Sequence, residues 1–144
     1  IANRMTGPDL IDLDLAYAPP FGSAKDPVNL LGMIAENVLD DELELWYAEE
    51  VDDPGYFLLD VRDRDEYDDD HLDGAYLVPH KEVRARFDEI RDAAAGRPIR
   101  VYCASGKRSY LAYRVLRAAG LPAANLSGGL TTLRALVPAD SALV

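Results

Sequence analysis

From Tyr56 onward short apolar runs alternate with stretches of helical period. The run in "YFLLDVR" predicts a buried strand ending near Asp60, and "GAYLVP" predicts a second short strand that Pro79 stops. Between them, "DRDEYDDDH" is too charged to be anything but a solvated helical turn or loop. Val83, Phe87, Ile90 and Ala94 fall on one face of an amphipathic helix that Gly96 and Pro98 terminate. "IRVYC" predicts a third strand. Leu111, Val115 and Ala119 mark the apolar side of the next helix, with Arg114 and Arg117 on its polar side and stop signals at Gly120 and Pro122. "AANL" completes the strands and "GGLTTLRAL" predicts a last helix. Upstream, Leu43, Leu45 and Tyr47 alternate as an edge strand does. Alternation of this kind predicts an α/β domain with a central, mostly parallel sheet flanked by helices, running from residue 41 to 144.

The first forty residues follow another pattern. "YAPPFGSAKDPVNLLGMIAENVL" has a Pro-Pro bend, then Asp26 as a helix cap with Pro27 at the first helical position, then Leu30, Ile34 and Val38 on one face. By itself the segment has little to bury, so residues 1–40 read as a linker or remnant of another domain.

Composition narrows the chemistry. At 144 residues and 49% hydrophobic content, one compact domain plus an attachment is expected. No run approaches the roughly 18 apolar residues of a membrane helix, and the first residues lack a signal-peptide pattern, so a cytoplasmic protein without a membrane partner is expected. The net charge of -11 argues against nucleic acid as a partner. The charge is unevenly spread: residues 93–139 hold seven Lys and Arg and no Asp or Glu. That is either surface drift or a local positive potential that draws small anions. The two histidines, His71 and His80, are scattered and the chain has one cysteine, Cys103, so neither a disulfide framework nor a metal site is expected.

Cys103 lies between the "IRVYC" strand and the following helix. A loop that curls there aims backbone N–H groups inward, and the helix start reinforces the resulting anion nest. Ala104, Ser105 and Gly106 are small enough for close curling, and Gly106 can take positive φ. Lys107 and Arg108 add charge at the rim, and Ser109 completes the loop. In such a bowl the thiolate is favoured over the thiol, and the thiolate is the nucleophile. A lone cysteine is otherwise commonly an inert core residue, but a core residue has no use for "ASGKR" behind it.

In this order and spacing, "LLDVRDRDEYDDDHLDGAYLVP", "VYCASGKRSYLAYRVLRAAG" and "NLSGGL" resemble the rhodanese (sulfurtransferase) family across about a hundred residues. The resemblance implies that Cys103 accepts a sulfane sulfur as a persulfide and passes it to a nucleophile. It also implies that the loop from Ala104 to Arg108 holds the persulfide and the donor's oxyanion. Cysteine phosphatases of similar architecture use a loop one residue longer, C-x5-R, whereas Cys103 to Arg108 is C-x4-R, which suits sulfur better than phosphate. The supporting positions are open to two readings. Asp60 either orients the active loop or caps the turn after its strand. Arg62 and Glu66, four apart, suit an ordinary ion pair. His71 suits a loop-fixing hydrogen bond better than catalysis. Gly128 and Gly129 suit close packing of the last helix against the active loop, with a part in the pocket wall.

The segment "LDLAYAPPFGSAKDPVNLLGMIAENVL" resembles the end of the dimerisation domain of flavin-dependent pyridine nucleotide-disulfide reductases, in particular the coenzyme A-disulfide reductase group, some members of which carry a rhodanese domain directly afterwards. This implies a parent enzyme whose FAD and NAD(P)H bind upstream, since no G-x-G-x-x-G occurs in this chain. Tyr17 would then be a remnant of the coenzyme A site. The expected partners are small sulfur donors (thiosulfate, polysulfide, persulfides), thiol acceptors such as coenzyme A, and the upstream reductase module. The alternatives are a non-catalytic sensing or docking module of that reductase and, less favoured, a cysteine phosphatase or arsenate reductase.

Overall fold

The computed structural model of the chain describes residues 4–15 and 25–136. The Pro-Pro bend and Tyr17 lie outside them. Two compact units form, Ile1–Glu44 and Leu45–Val144.

In the first unit, a 3-10 turn at Pro8–Leu10 packs on helix α1 (Pro27–Leu39). The side chain of Asp26 accepts from the Val28 amide and Pro27 opens the helix, as their order along the chain predicts. Contact with the turn comes from an unpredicted side of the helix. Asn29 donates to the carbonyls of Leu10, Ile11 and Leu13, and Gly32 lies so close to Ile11 that a Cβ there would sit 2.8 Å from its nitrogen. Leu30, Ile34 and Val38, which share another face of the helix, are exposed. The close approach needs glycine, so the small-residue face wins over the apolar one.

The second unit is an α/β layer structure. Its strands are β1 (Leu45–Trp46), β2 (Phe57–Asp60), β3 (Tyr76–Leu77), β4 (Ile99–Tyr102) and β5 (Ala123–Leu126). They form one sheet of order β1-β5-β4-β2-β3 with every pairing parallel. β4 and β5 are buried at every position, as strands covered on both faces must be. The connecting helices are α2 (Arg64–Asp69), α3 (Phe87–Ala94), α4 (Lys107–Ala118) and α5 (Gly129–Leu136). Trp46 anchors the edge: its ring is fully buried and its indole N–H donates to the Val101 carbonyl at 3.1 Å.

Three expectations shift. The edge strand buries Trp46 rather than the Leu45 and Tyr47 parity, because a strand's faces alternate and the large ring takes the inward one. Helix α3 starts at Phe87, four residues after Val83; Val83 is still buried, held in turns that bond Glu82 N–H to the Pro79 carbonyl. Helix α4 buries Ser109, Ala112, Tyr113 and Leu116, while Leu111 is 52% exposed. The helix phase is set at its first turn, where Ser109 must face the Cys103 sulfur, and the buried stripe then follows at helical spacing.

Candidate active site

Because all strands are parallel, the loops that follow them gather at one end of the sheet. Cys103 stands directly after β4, and six residues later Ser109 is the third residue of α4. The turn between them works because Gly106 adopts φ +94°, a conformation a β-carbon disfavours. That kink folds the chain back over its own cysteine. The Sγ atom accepts from the Gly106 amide at 3.2 Å, the Ser109 amide at 3.4 Å and the Ser109 hydroxyl at 3.3 Å. The Ser109 amide is among the first N–H groups of α4, which have no partner inside the helix. Sulfur thus fills the place of a helix cap.

Burial of Cys103 opposes its charged form, but the Ser109 hydroxyl and the amides of Ser109, Ser105 and Gly106 outweigh it, so its pKa lies below the ordinary thiol value. The site therefore holds a nucleophile with donors already aimed at developing negative charge on sulfur. The Ser109 hydroxyl has one proton and two acceptors, the sulfur and the Gly106 carbonyl at 3.1 Å. Ala104 is half-buried behind the cysteine, and Ser105 and Lys107 are exposed at the rim.

Glycines of the β5–α5 turn fix the loop from the other side. Gly128 and Gly129 have φ of +71° and +63°. A Cβ on Gly129 would sit 2.6 Å from the carbonyl oxygens of both Cys103 and Ala104, and one on Gly128 would collide with Thr132. With no side chain in the way, the start of α5 closes onto those carbonyls. Leu130 N–H donates to Cys103 and Thr131 N–H to Ala104, each at 3.0 Å.

The other expected residues divide. Asp60, fully buried, accepts from the Arg62 backbone N–H at 2.9 Å and from its guanidinium at 2.7 to 3.1 Å, bonds that lie in the turn after β2. Arg62 also reaches Asp70. Burial opposes the Arg62 charge, and Asp60 outweighs it, so the guanidinium is held more firmly protonated. The expected Arg62–Glu66 pair is absent among these bonds. Glu66 instead grips Arg108, with its Oε1 accepting from Nη2 at 2.7 Å, because its own capping-box bond to the Asp63 amide turns the carboxylate toward the loop. His71 stacks on Tyr67 at 3.9 Å, and its Nδ1 lies 3.0 Å from the Tyr67 carbonyl.

Asn125 was not anticipated. It lies buried in β5 and its side-chain amide donates to the Gly106 carbonyl at 3.4 Å, supporting the turn from beneath. The signal was available: a lone amide inside the apolar run of a buried parallel strand needs a reason to be there.

A family model described as the rhodanese-like domain matches residues 44–135. The reduced CoADR-RHD of Bacillus anthracis has a similar structure, with a TM-score of 0.89, 34% identity, and coverage of 99% of this chain and 25% of that one. An NAD-dependent persulfide reductase from A. fulgidus follows at TM-score 0.77 and 37% identity, over 90% of this chain and 23% of the other. A tRNA sulfurtransferase of Desulfurococcus amylolyticus is 35% identical over 91 residues, 62% of this chain and 17% of its own length. The chain spans no more than a quarter of any of these three. A parallel α/β sheet, a single thiol capped by the amides of a six-residue loop, and a family match through both place the chain in the rhodanese-like domain family, related to sulfurtransferases.

Proposed function

We propose that the chain is a sulfurtransferase domain that moves sulfane sulfur through a persulfide on Cys103, and that it serves an FAD- and NAD(P)H-dependent coenzyme A-disulfide or persulfide reductase of which it is a part. One observation carries the reading: the only thiol has its pKa lowered by three inward amides and one hydroxyl, in a loop with no acidic side chain.

In the first step the Cys103 thiolate attacks the outer sulfur of the donor. The donor's S–S bond breaks and its electron pair leaves on sulfite or on a thiolate, while Cys103 becomes a persulfide. In the second, an acceptor thiolate attacks the outer sulfur of that persulfide and Cys103 leaves as the thiolate, ready for another cycle. With one cysteine in the 144 residues, the acceptor is a separate thiol, such as coenzyme A or the reductase's own cysteine. The likeness to the B. anthracis and A. fulgidus chains, which extend well beyond the matched part, supports the link to a reductase.

Mass spectrometry after treatment with thiosulfate or polysulfide tests this. One added sulfur on Cys103, removed by coenzyme A, is the expected result; a Cys103 that alkylates but never gains sulfur refutes it.

A further inference from the structure

The loop has two cations, and they are not equivalent. Arg108 has both guanidinium nitrogens Nη1 and Nη2 on Glu66, and Nη1 lies 3.4 Å from Asp63. Lys107 is exposed and has no ion-pair partner among the described residues. Glu66 is fixed before any donor arrives, because its Oε2 also accepts from the Asp63 amide at 3.1 Å in the capping box of α2. The Arg108 bonds hold the Glu66 carboxyl at about 2, so it is ionised at any working pH. Arg108 is still close enough to Cys103 for the thiolate to favour its charge. The cation coupled to the sulfur, Arg108, thus has two carboxylates against it, while Lys107 stands exposed on the same loop.

We propose that Glu66 is a specificity-determining residue: by cancelling the charge of Arg108 at the sulfur bowl, it favours hydropersulfide donors over the thiosulfate dianion. The inference rests on the sulfur-transfer reading above and names which donor that site prefers. Thiosulfate meeting the Cys103 thiolate assembles three negative charges: Cys–S⁻ and S–SO₃²⁻ give Cys–S–S⁻ and SO₃²⁻. A hydropersulfide assembles one: Cys–S⁻ and RS–SH give Cys–S–SH and RS⁻. The S–S bond broken and the bond formed are of the same kind in both. The difference lies in the charge the loop must hold, and a loop whose Arg108 charge is offset by Glu66 penalises the first case more.

The test compares kcat/KM for thiosulfate and for glutathione persulfide in the full 144-residue chain, wild type and Glu66→Gln. The glutamine keeps the shape and loses the charge. The ratio of thiosulfate to persulfide activity should rise about tenfold and the rise should shrink at high salt. A ratio that stays level or falls overturns the proposal. If Glu66→Gln does not fold, Asp63→Asn, at the more exposed second partner of the same guanidinium, should raise the ratio about two- to threefold, and an unchanged ratio there overturns it equally. Wild-type protein that persulfide loads, with no change of ratio in the variants, sinks this inference alone. Wild-type protein that neither donor loads sinks the sulfur-transfer reading as well.

Discussion

The two ends of the sheet are built on opposite plans. At the amino ends of β2, β3 and β4 lies a cleft of about 440 Å³, bordered by Asp52, Asp53, Tyr56, Asp73, Tyr76 and Arg97. At the carboxyl end of β4 there is a loop that closes on one sulfur atom. The cleft is roomy and rich in charge, yet three of its polar side chains are already engaged by neighbours. Asp53 accepts from the Gly55 amide, Tyr76 bonds Glu89, and Arg97 lies over Phe57 at 5.3 Å. In the loop the donors converge on an atom that can react. Convergence of donors on a nucleophile marks chemistry here, and volume does not.

The sharpest way to break this comparison is to change each end in turn. Cys103→Ser should lower sulfur transfer by at least about a thousandfold, since Cys103 is the one thiol in the sequence. Asp73→Asn in the cleft should change kcat/KM by less than about twofold. A large effect of Asp73→Asn in the same transfer assay would move the chemistry to the wrong end of the sheet.

Glycine gives a second contrast. Gly74, at the cleft, and Gly129, at the loop, have similar φ of +71° and +63°. A Cβ at Gly74 meets nothing within 4 Å, whereas at Gly129 it meets the Cys103 and Ala104 carbonyls at 2.6 Å. Gly74→Ala should therefore cost only the left-handed backbone penalty, about 1 kcal/mol. Gly129→Ala adds displacement of the loop or of α5 and should cost about 2–4 kcal/mol, with a matching fall in Tm on thermal denaturation. Equal losses would mean that α5 does not brace the loop.

Which parts of this were legible in the chain follows from the same contrast. Cys103, Gly106 and the cations around them are contiguous, so their shared purpose shows in the order of residues. The strands show because buried parallel strands are nearly continuous apolar runs, as "FLLD" and "IRVY" are. The partner of Arg108 does not show. Glu66 lies 42 residues away, and four-residue spacing pointed it at Arg62, whereas Asp60 and Asp70 satisfy that arginine. The phase of α4 was hidden for a related reason: the contact that sets it, Ser109 on the Cys103 sulfur, is a tertiary one. Helical spacing identifies a stripe but cannot say which of two adjacent stripes a neighbouring loop will select.

Ser109 allows a finer cut at the loop. Its hydroxyl is the strongest of the contacts that lower the Cys103 pKa, and the amides of Ser109, Ser105 and Gly106 remain when it is removed. Ser109→Ala should then raise the thiolate titration midpoint toward the ordinary thiol value, read by ultraviolet absorbance against Cys103→Ser as the blank. An unshifted midpoint would leave the amides as the whole cause.

The smallest effect concerns stability against acid, and again sets one end against the other. Glu66 at the loop and Glu89, which bonds Tyr76 of the cleft, both have a pKa of about 2 against an ordinary 4.5, the first lowered chiefly by Arg108 and the second chiefly by Arg86. A carboxylate with a depressed folded-state pKa stabilises the fold above its unfolded pKa, and that contribution disappears as pH falls through the folded value. The stability gap between wild type and Glu66→Gln in urea titrations should thus be full at neutral pH and close between about 4.5 and about 2. Its size should stay below about 1 kcal/mol, because the pair is part-exposed and solvent screens it. Glu89→Gln should show the same sign with a smaller gap, since its pair with Arg86 stands further into solvent. If the larger gap came from Glu89, the acid-sensitive contact would belong to the cleft end, and the Glu66 clamp would owe its place to specificity alone.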